Sequence, residues 1–122
     1  MPRALGEFEQ LILLALLDLG EDEAYGVPIR ESIEQRTGRR VSIGAVYTAL
    51  DRLSSRGLVS SEVAPPTAER GGRRKRLYRL EPAGARTLAA SIRVLQDMSR
   101  GLLRRLELEV AGDGSTSRRT GR

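Results

Sequence analysis

The sequence predicts a mainly α-helical protein with one small β-hairpin. Three observations predict it. Three segments in the first half carry apolar residues at helical spacing. Two short β-rich runs flank a loop of proline, glycine and arginine, and a long C-terminal segment repeats leucine-type residues four and three apart. A chain of 122 residues makes one domain, or one domain plus an added element. At that size roughly 65% of the unfolded surface is buried, enough for a true core.

The first helix is expected over residues 5–20, which are rich in good helix formers, with Gly20 placed to end it. Its apolar residues lie on nearly every face, so it should be buried all round, with a second chain covering part of it. Glu21-Asp22-Glu23 follows as a short acidic loop. The second helix is expected over 25–37, with Val27, Ile29 and Ile33 as its apolar side. Pro28 fits only in the first turn, and Gly38 closes the helix. After the connector Arg39-Arg40-Val41, Ser42 stands where an N-cap belongs. The third helix, 43–56, places Ile43, Val46, Leu50 and Leu53 in one stripe, and Gly57 ends it.

Residues 58–63 and 77–80 read as two strands of a hairpin, and residues 64–76 as its loop. Pro82 sits near the start of a fourth helix. There Leu88, Ile92, Leu95, Ser99, Leu102 and Leu106 recur at spacings of 4, 3, 4, 3 and 4, a heptad seam broken by Ser99 and accompanied by Gly101. Residues 111–122 hold no apolar side chain larger than that of Ala111 and should form a disordered tail. The order is therefore a helix-turn-helix followed by a β-hairpin wing, residues 1–80, then a C-terminal dimerisation helix over 81–110.

Composition narrows the function. There is no cysteine and no histidine, and Lys75 is the only lysine. Disulfides, cysteine-ligated zinc, iron–sulfur clusters, cysteine nucleophiles and Ser-His-Asp catalysis are all excluded. No side chain has an unperturbed pKa near 7. The composition argues against an enzyme and implies no cofactor or metal. The most apolar run, Leu11 to Leu17, is seven residues long where a membrane span needs roughly 20. Glu7 and Glu9 occupy the would-be basic start of an export signal, so a cytoplasmic protein is expected.

The net charge is +5, with 21 basic against 16 acidic residues, which points to a polyanion, nucleic acid first and an anionic membrane surface second. An arginine-rich proteome would spread that charge evenly. Here residues 70–79 hold six basic residues and no acid, whereas residues 1–23 hold one basic and six acidic. Arginines on a hairpin tip can pair with phosphates or enter a minor groove, and Arg73, Arg74, Lys75 and Arg76 are the candidates. On the third helix the face opposite the apolar stripe carries Gly44, Ala45, Thr48, Asp51, Arg52 and Ser55. Small residues let the helix backbone approach a duplex, Thr48 suits a base edge or a thymine methyl, and Arg52 and Arg56 suit phosphates. Tyr47 lies beside the stripe, as a core residue or as a hydroxyl reaching the DNA backbone. Phe8, Tyr25, Tyr47 and Tyr78 are the only aromatic residues and all fall in packed elements, which favours a duplex reader over a single-strand binder. The heptad seam needs a partner helix, so Leu88, Ile92, Leu95, Leu102 and Leu106, with Leu11 and Leu14 of the first helix, are the expected dimer contacts. A symmetric dimer would offer two recognition helices to a palindromic site. Ser99 and Gly101 would leave space near its two-fold axis.

These residues resemble the PadR family of bacterial transcriptional regulators. The run Leu11 to Leu19, then Ala24-Tyr25-Gly26 and Arg36-Thr37-Gly38, is similar to the family's start. The segment from Val41 to Leu53 resembles its recognition-helix signature. Gly57-Leu58-Val59, Gly71-Gly72-Arg73, the run Leu77 to Leu80 and Pro82-Ala83-Gly84 resemble its wing and the helix that follows. The resemblance covers about residues 5–105, and the short C-terminal helix matches the compact branch. It implies a winged helix-turn-helix repressor of neighbouring genes, dimeric through the C-terminal and first helices, in a family where some members answer small aromatic or apolar molecules. Carried over by position, the DNA contacts are Ser42, Gly44, Ala45, Tyr47 and Thr48 with the wing arginines. Ile43 stands where many relatives have proline, Pro28 replaces an ordinary helix residue, and no tryptophan is present to stack on a planar drug. A small apolar ligand at the dimer interface, or no ligand at all, is what these residues leave. The rival reading is a winged helix that docks protein; such a helix would expose large apolar anchors, whereas the third helix shows small and polar residues.

Overall fold

A computed structural model describes residues 4–65 and 75–117, with side chains described as far as Asp113. The elements are α1 (Glu7–Asp18), a 3₁₀ turn (Glu21–Glu23), α2 (Gly26–Thr37), α3 (Ile43–Ser55), β1 (Val59–Val63), β2 (Arg76–Leu80), α4 (Pro82–Ser99) and α5 (Leu103–Ser117). The chain divides into two compact units, residues 1–90 and 91–122, each with its own internal contacts. Fold class is as the sequence predicts: mainly α with one two-stranded antiparallel sheet.

In the first unit α1, α2 and α3 pack on one another and on the hairpin. Ile12, Leu13, Ile29, Val46, Leu50 and Leu53 are fully buried at the centre. Burying each such side chain stabilises the fold by about 1.5–3 kcal/mol. The α3 stripe is therefore core, as its spacing predicts, and Ala49 joins it. Val27, expected on the buried side of α2, is exposed, because it lies in the first turn while Ile29 and Ile33 take the inward positions. Leu88, expected on the seam, is buried within the first unit and has little surface left for a partner.

Two of the three expected glycine stops hold. Gly38 and Gly57 both adopt φ +75°, a left-handed conformation that strains other residues. Gly20 does not: α1 stops at Asp18, Leu19 is extended, and Gly20, also extended at φ −71°, caps the acidic 3₁₀ turn. Nor is α1 buried all round. Leu14 is 37% exposed and Leu17 66%, so one apolar face stays open in the single chain.

The hairpin pairs Val59 with Leu80 and Val63 with Arg76. One bond ties it to the segment before α2 and another extends it beyond Val59 and Leu80. Tyr78 N–H donates to the Ala24 carbonyl at 2.8 Å, and Glu81 N–H donates to the Leu58 carbonyl at 3.0 Å. Gly84 sits so close to Leu58 that a Cβ there would overlap the Leu58 carbonyl oxygen. The glycine is what lets the start of α4 lie on the sheet.

The single C-terminal helix expected over 81–110 is two helices. Gly101, at φ +76°, turns the chain after Ser99, and Leu102 N–H bonds the Ser99 carbonyl at 2.7 Å. The Ser99 hydroxyl folds back on the Leu95 carbonyl, 2.7 Å away, a bond typical of a helix end. The seam is thus divided, with Leu95 before the turn and Leu106 after it. The tail expected from residue 111 is helical through Ser117. Extending an existing helix adds a hydrogen bond for each residue fixed and needs no apolar side chain.

Candidate nucleic-acid interface

The third helix presents its N-terminal half to solvent. Ser42 has the extended backbone of an N-cap, and its Oγ accepts the Ala45 N–H at 3.1 Å. That bond satisfies one free amide of the first turn and fixes where the helix starts. Ser42, Gly44, Ala45, Thr48 and Arg52 are all exposed, so five of the expected contacts share one accessible face. Asp51 and Ser55 lie beside them, and the Ser55 hydroxyl is bonded to the Asp51 carbonyl at 3.0 Å.

Tyr47 settles between its two readings. It is 40% exposed, yet its ring lies on the backbone of Gly26, where a Cβ would overlap the hydroxyl. One edge of the ring packs on the start of α2 and the rest faces out. Tyr78 is buried, and desolvation raises its phenol above the ordinary 10.0. Arg76 works against that rise, while Asp51 and Tyr47 add to it.

The wing cations divide. Arg73 and Arg74 lie outside the described residues. The Lys75 ammonium stands 3.8 Å over the centre of the Tyr25 ring, a cation–π contact. The Arg76 guanidinium donates to Ser61 Oγ at 3.1 Å, across the hairpin. Both side chains hold the base of the wing in place. Nothing in the sequence signals this, because Tyr25 and Lys75 are fifty residues apart and meet only when β2 bonds the segment before α2.

Sequence reading also misses the turn between α2 and α3. Arg30, Glu34, Arg39, Arg40 and Ser42 line a polar cleft of about 570 Å³ there. Glu34 accepts the Val41 N–H at 2.8 Å, which fixes the turn, and Arg39 pairs with Glu7 at 3.1 Å. At the far end of α3, Arg56 reaches Glu9 at 3.9 Å in a largely buried ion pair, so it is held by the core side and not offered to phosphate. Glu9 in turn accepts the Gly6 N–H at 3.0 Å and caps α1.

A sequence model described as the transcriptional regulator PadR-like family matches residues 13–90, well over half the chain. The chain belongs to the PadR-like family. A transcriptional regulator of Mycobacterium tuberculosis is 35% identical over 83 residues, covering 68% of this chain and 73% of that one. Among solved structures, a PadR family regulator from Clostridium difficile is similar at a TM-score of 0.67 and 23% identity, covering 83% of this chain and 99% of that one. A PadR family regulator from Eggerthella lenta gives 0.63 and 25%, with 83% and 87% covered. PadR-like proteins are regulators of transcription, not enzymes. Among the described residues no helix is long and apolar enough to cross a membrane.

Proposed function

We propose that this PadR-like protein is a homodimeric, sequence-specific binder of double-stranded DNA that represses neighbouring genes from the cytoplasm. One observation carries the reading: the exposed N-terminal face of α3 is built of Ser42, Gly44, Ala45 and Thr48, with no large aliphatic side chain on it. Such a face admits a duplex to the helix backbone and offers a protein partner no anchor. Residues 1–80 form the DNA-binding domain, with Tyr47 and Arg52 flanking the reading face and Arg73 and Arg74 on phosphates. The helices after residue 80 form the dimerisation element. Exposed Leu14, Leu95, Met98, Leu102 and Leu106 support this, since apolar surface on that scale favours a covering partner. An apolar hollow of about 460 Å³, lined by Leu95, Met98, Leu102 and Leu106 within the second unit, supports relief by a small apolar effector.

The test is titration of the protein against duplex from its own upstream region and against a scrambled duplex. Upstream DNA should bind at least about a hundredfold more tightly, with affinity falling steeply as salt rises. Equal affinity for the two duplexes at moderate salt would refute a sequence-specific repressor.

A further inference from the structure

We infer that the cleft at the turn between α2 and α3 is a seat for a backbone phosphate of duplex DNA, held by Arg30 and Arg40 and separate from the wing. This rests on the DNA-binding reading and adds to it a contact made by neither the recognition face nor the hairpin.

Four observations meet there. First, the cleft concentrates positive charge: three arginines line it, against one carboxylate, Glu34. Second, two of the possible internal partners are already used. Glu34 is turned onto the Val41 amide, and Arg39 is engaged by Glu7. Among the described residues, Arg40 makes no ion pair and no side-chain hydrogen bond, and it is exposed. A charge held at a tight turn with no acid on it is set for an external anion. Third, Arg30 Nε is buried with no hydrogen-bond partner, although buried polar groups in folded proteins are nearly always satisfied. Fourth, the place is right. Ser42, the N-cap of α3, lines the same cleft, and Arg40 lines a smaller adjoining cleft with Ala45. A strand whose bases meet the start of α3 runs its phosphates past that turn, and phosphate contacts set the register of a reading helix without reading sequence themselves.

The guanidinium suits this better than an ammonium, because its planar fork can bond two phosphate oxygens at once. A phosphate bound in the cleft also lies near the free amides at the start of α3, where anions are favoured.

The experiment measures affinity for the upstream duplex and a scrambled duplex, from about 0.05 to 0.3 M salt, for the full-length protein and for Arg40→Ala, Arg40→Lys and Arg30→Gln. Removing one phosphate contact from each protomer, two in the dimer, should flatten the log–log salt dependence by about 1.8 and weaken binding about thirtyfold at roughly 0.15 M salt. We expect Arg40→Ala and Arg30→Gln to do this by the same factor on both duplexes, with Arg40→Lys retaining most of the slope. Thermal melting of each variant reports folding, and because Arg40 is exposed, Arg40→Ala decides the matter if Arg30→Gln fails to fold. An unchanged salt slope in Arg40→Ala overturns the seat while leaving the DNA-binding reading intact. A loss confined to the upstream duplex overturns it as well, since it would make Arg40 a base reader. If the unaltered protein binds no duplex, the functional reading falls and takes the seat with it.

Discussion

Two glycines show what a single missing Cβ does here. At Gly84 the obstacle to a side chain is the Leu58 carbonyl, whose oxygen also accepts the Glu81 N–H. That backbone cannot move without breaking the bond. At Gly26 the obstacle is the half-exposed Tyr47 ring, which can swing outward. Gly84→Ala should therefore destabilise by about 3 kcal/mol and Gly26→Ala by only about 1 kcal/mol. For a domain of this size each kcal/mol lowers Tm by about 4–8 °C, so calorimetry separates them. Gly26→Ala should weaken DNA binding beyond its small effect on stability, because it displaces Tyr47 from the reading face.

Lys75 gives a second test at this scale. As the only lysine, its reductively methylated amine yields one side-chain NMR signal besides that of the N-terminus. Stacked over Tyr25, that signal should lie upfield and return to the random-coil position in Tyr25→Leu, but not in Tyr25→Phe. Tyr78 gives a third. Its folded-state pKa is raised, so between the unfolded value of 10.0 and the higher folded value the folded state holds the extra proton. Stability contributed by the neutral phenol is complete below about pH 10 and falls as pH rises further. Denaturant melts of the protein and of Tyr78→Phe should diverge above about pH 10, with the substituted protein the less affected. None of these contacts is visible in the sequence. Tyr25, Tyr47 and Tyr78 each look like a packed aromatic there, and which atoms they touch depends on how α3 and β2 meet the start of α2.

Helix boundaries are the part most readable from sequence, wherever the chemistry of the end is local. The Ser42 N-cap and the turns at Gly38 and Gly57 follow from one residue's own preferences. Ser42→Ala should cost about 1 kcal/mol, and because the cap fixes the start of α3 it should also reduce affinity for DNA. The C-terminal break escapes sequence reading for the opposite reason. The seam at four-and-three spacing continues through residues 99–106, and periodicity alone does not register that Gly101 takes a positive φ. Gly101→Asn should be tolerated, since asparagine visits the left-handed region, whereas Gly101→Ala should cost about 1 kcal/mol. The same pattern misplaces Leu88. Spacing puts it on the helix's apolar side but cannot say that this side faces the chain's own core before it faces anything else.

For the molecule as a whole, the uneven charge matters more than the total of +5. Acidic residues of α1 are used internally: Glu9 caps its helix and meets Arg56, and Glu7 takes Arg39. Those pairings neutralise Arg39 and Arg56 and leave Arg40 without an ion pair among the described residues. A second surplus is apolar, on α1 and in the second unit, where Leu17, Leu95, Met98 and Leu106 are exposed in the single chain. Sedimentation equilibrium should give a dimer that Leu102→Asp with Leu106→Asp converts to monomer, and the monomer should lose most of its affinity for a two-part operator. Sequence-specific binding by a dimer is tested most directly by a hydroxyl-radical footprint of the protein on its own upstream DNA. Two protected segments related by a dyad are expected, their centres one helical turn or a whole multiple of it apart (roughly 34–36 Å per turn), and abolished by Thr48→Trp in a protein that still folds and dimerises. Uniform weak protection along the duplex, unchanged by Thr48→Trp, would overturn it.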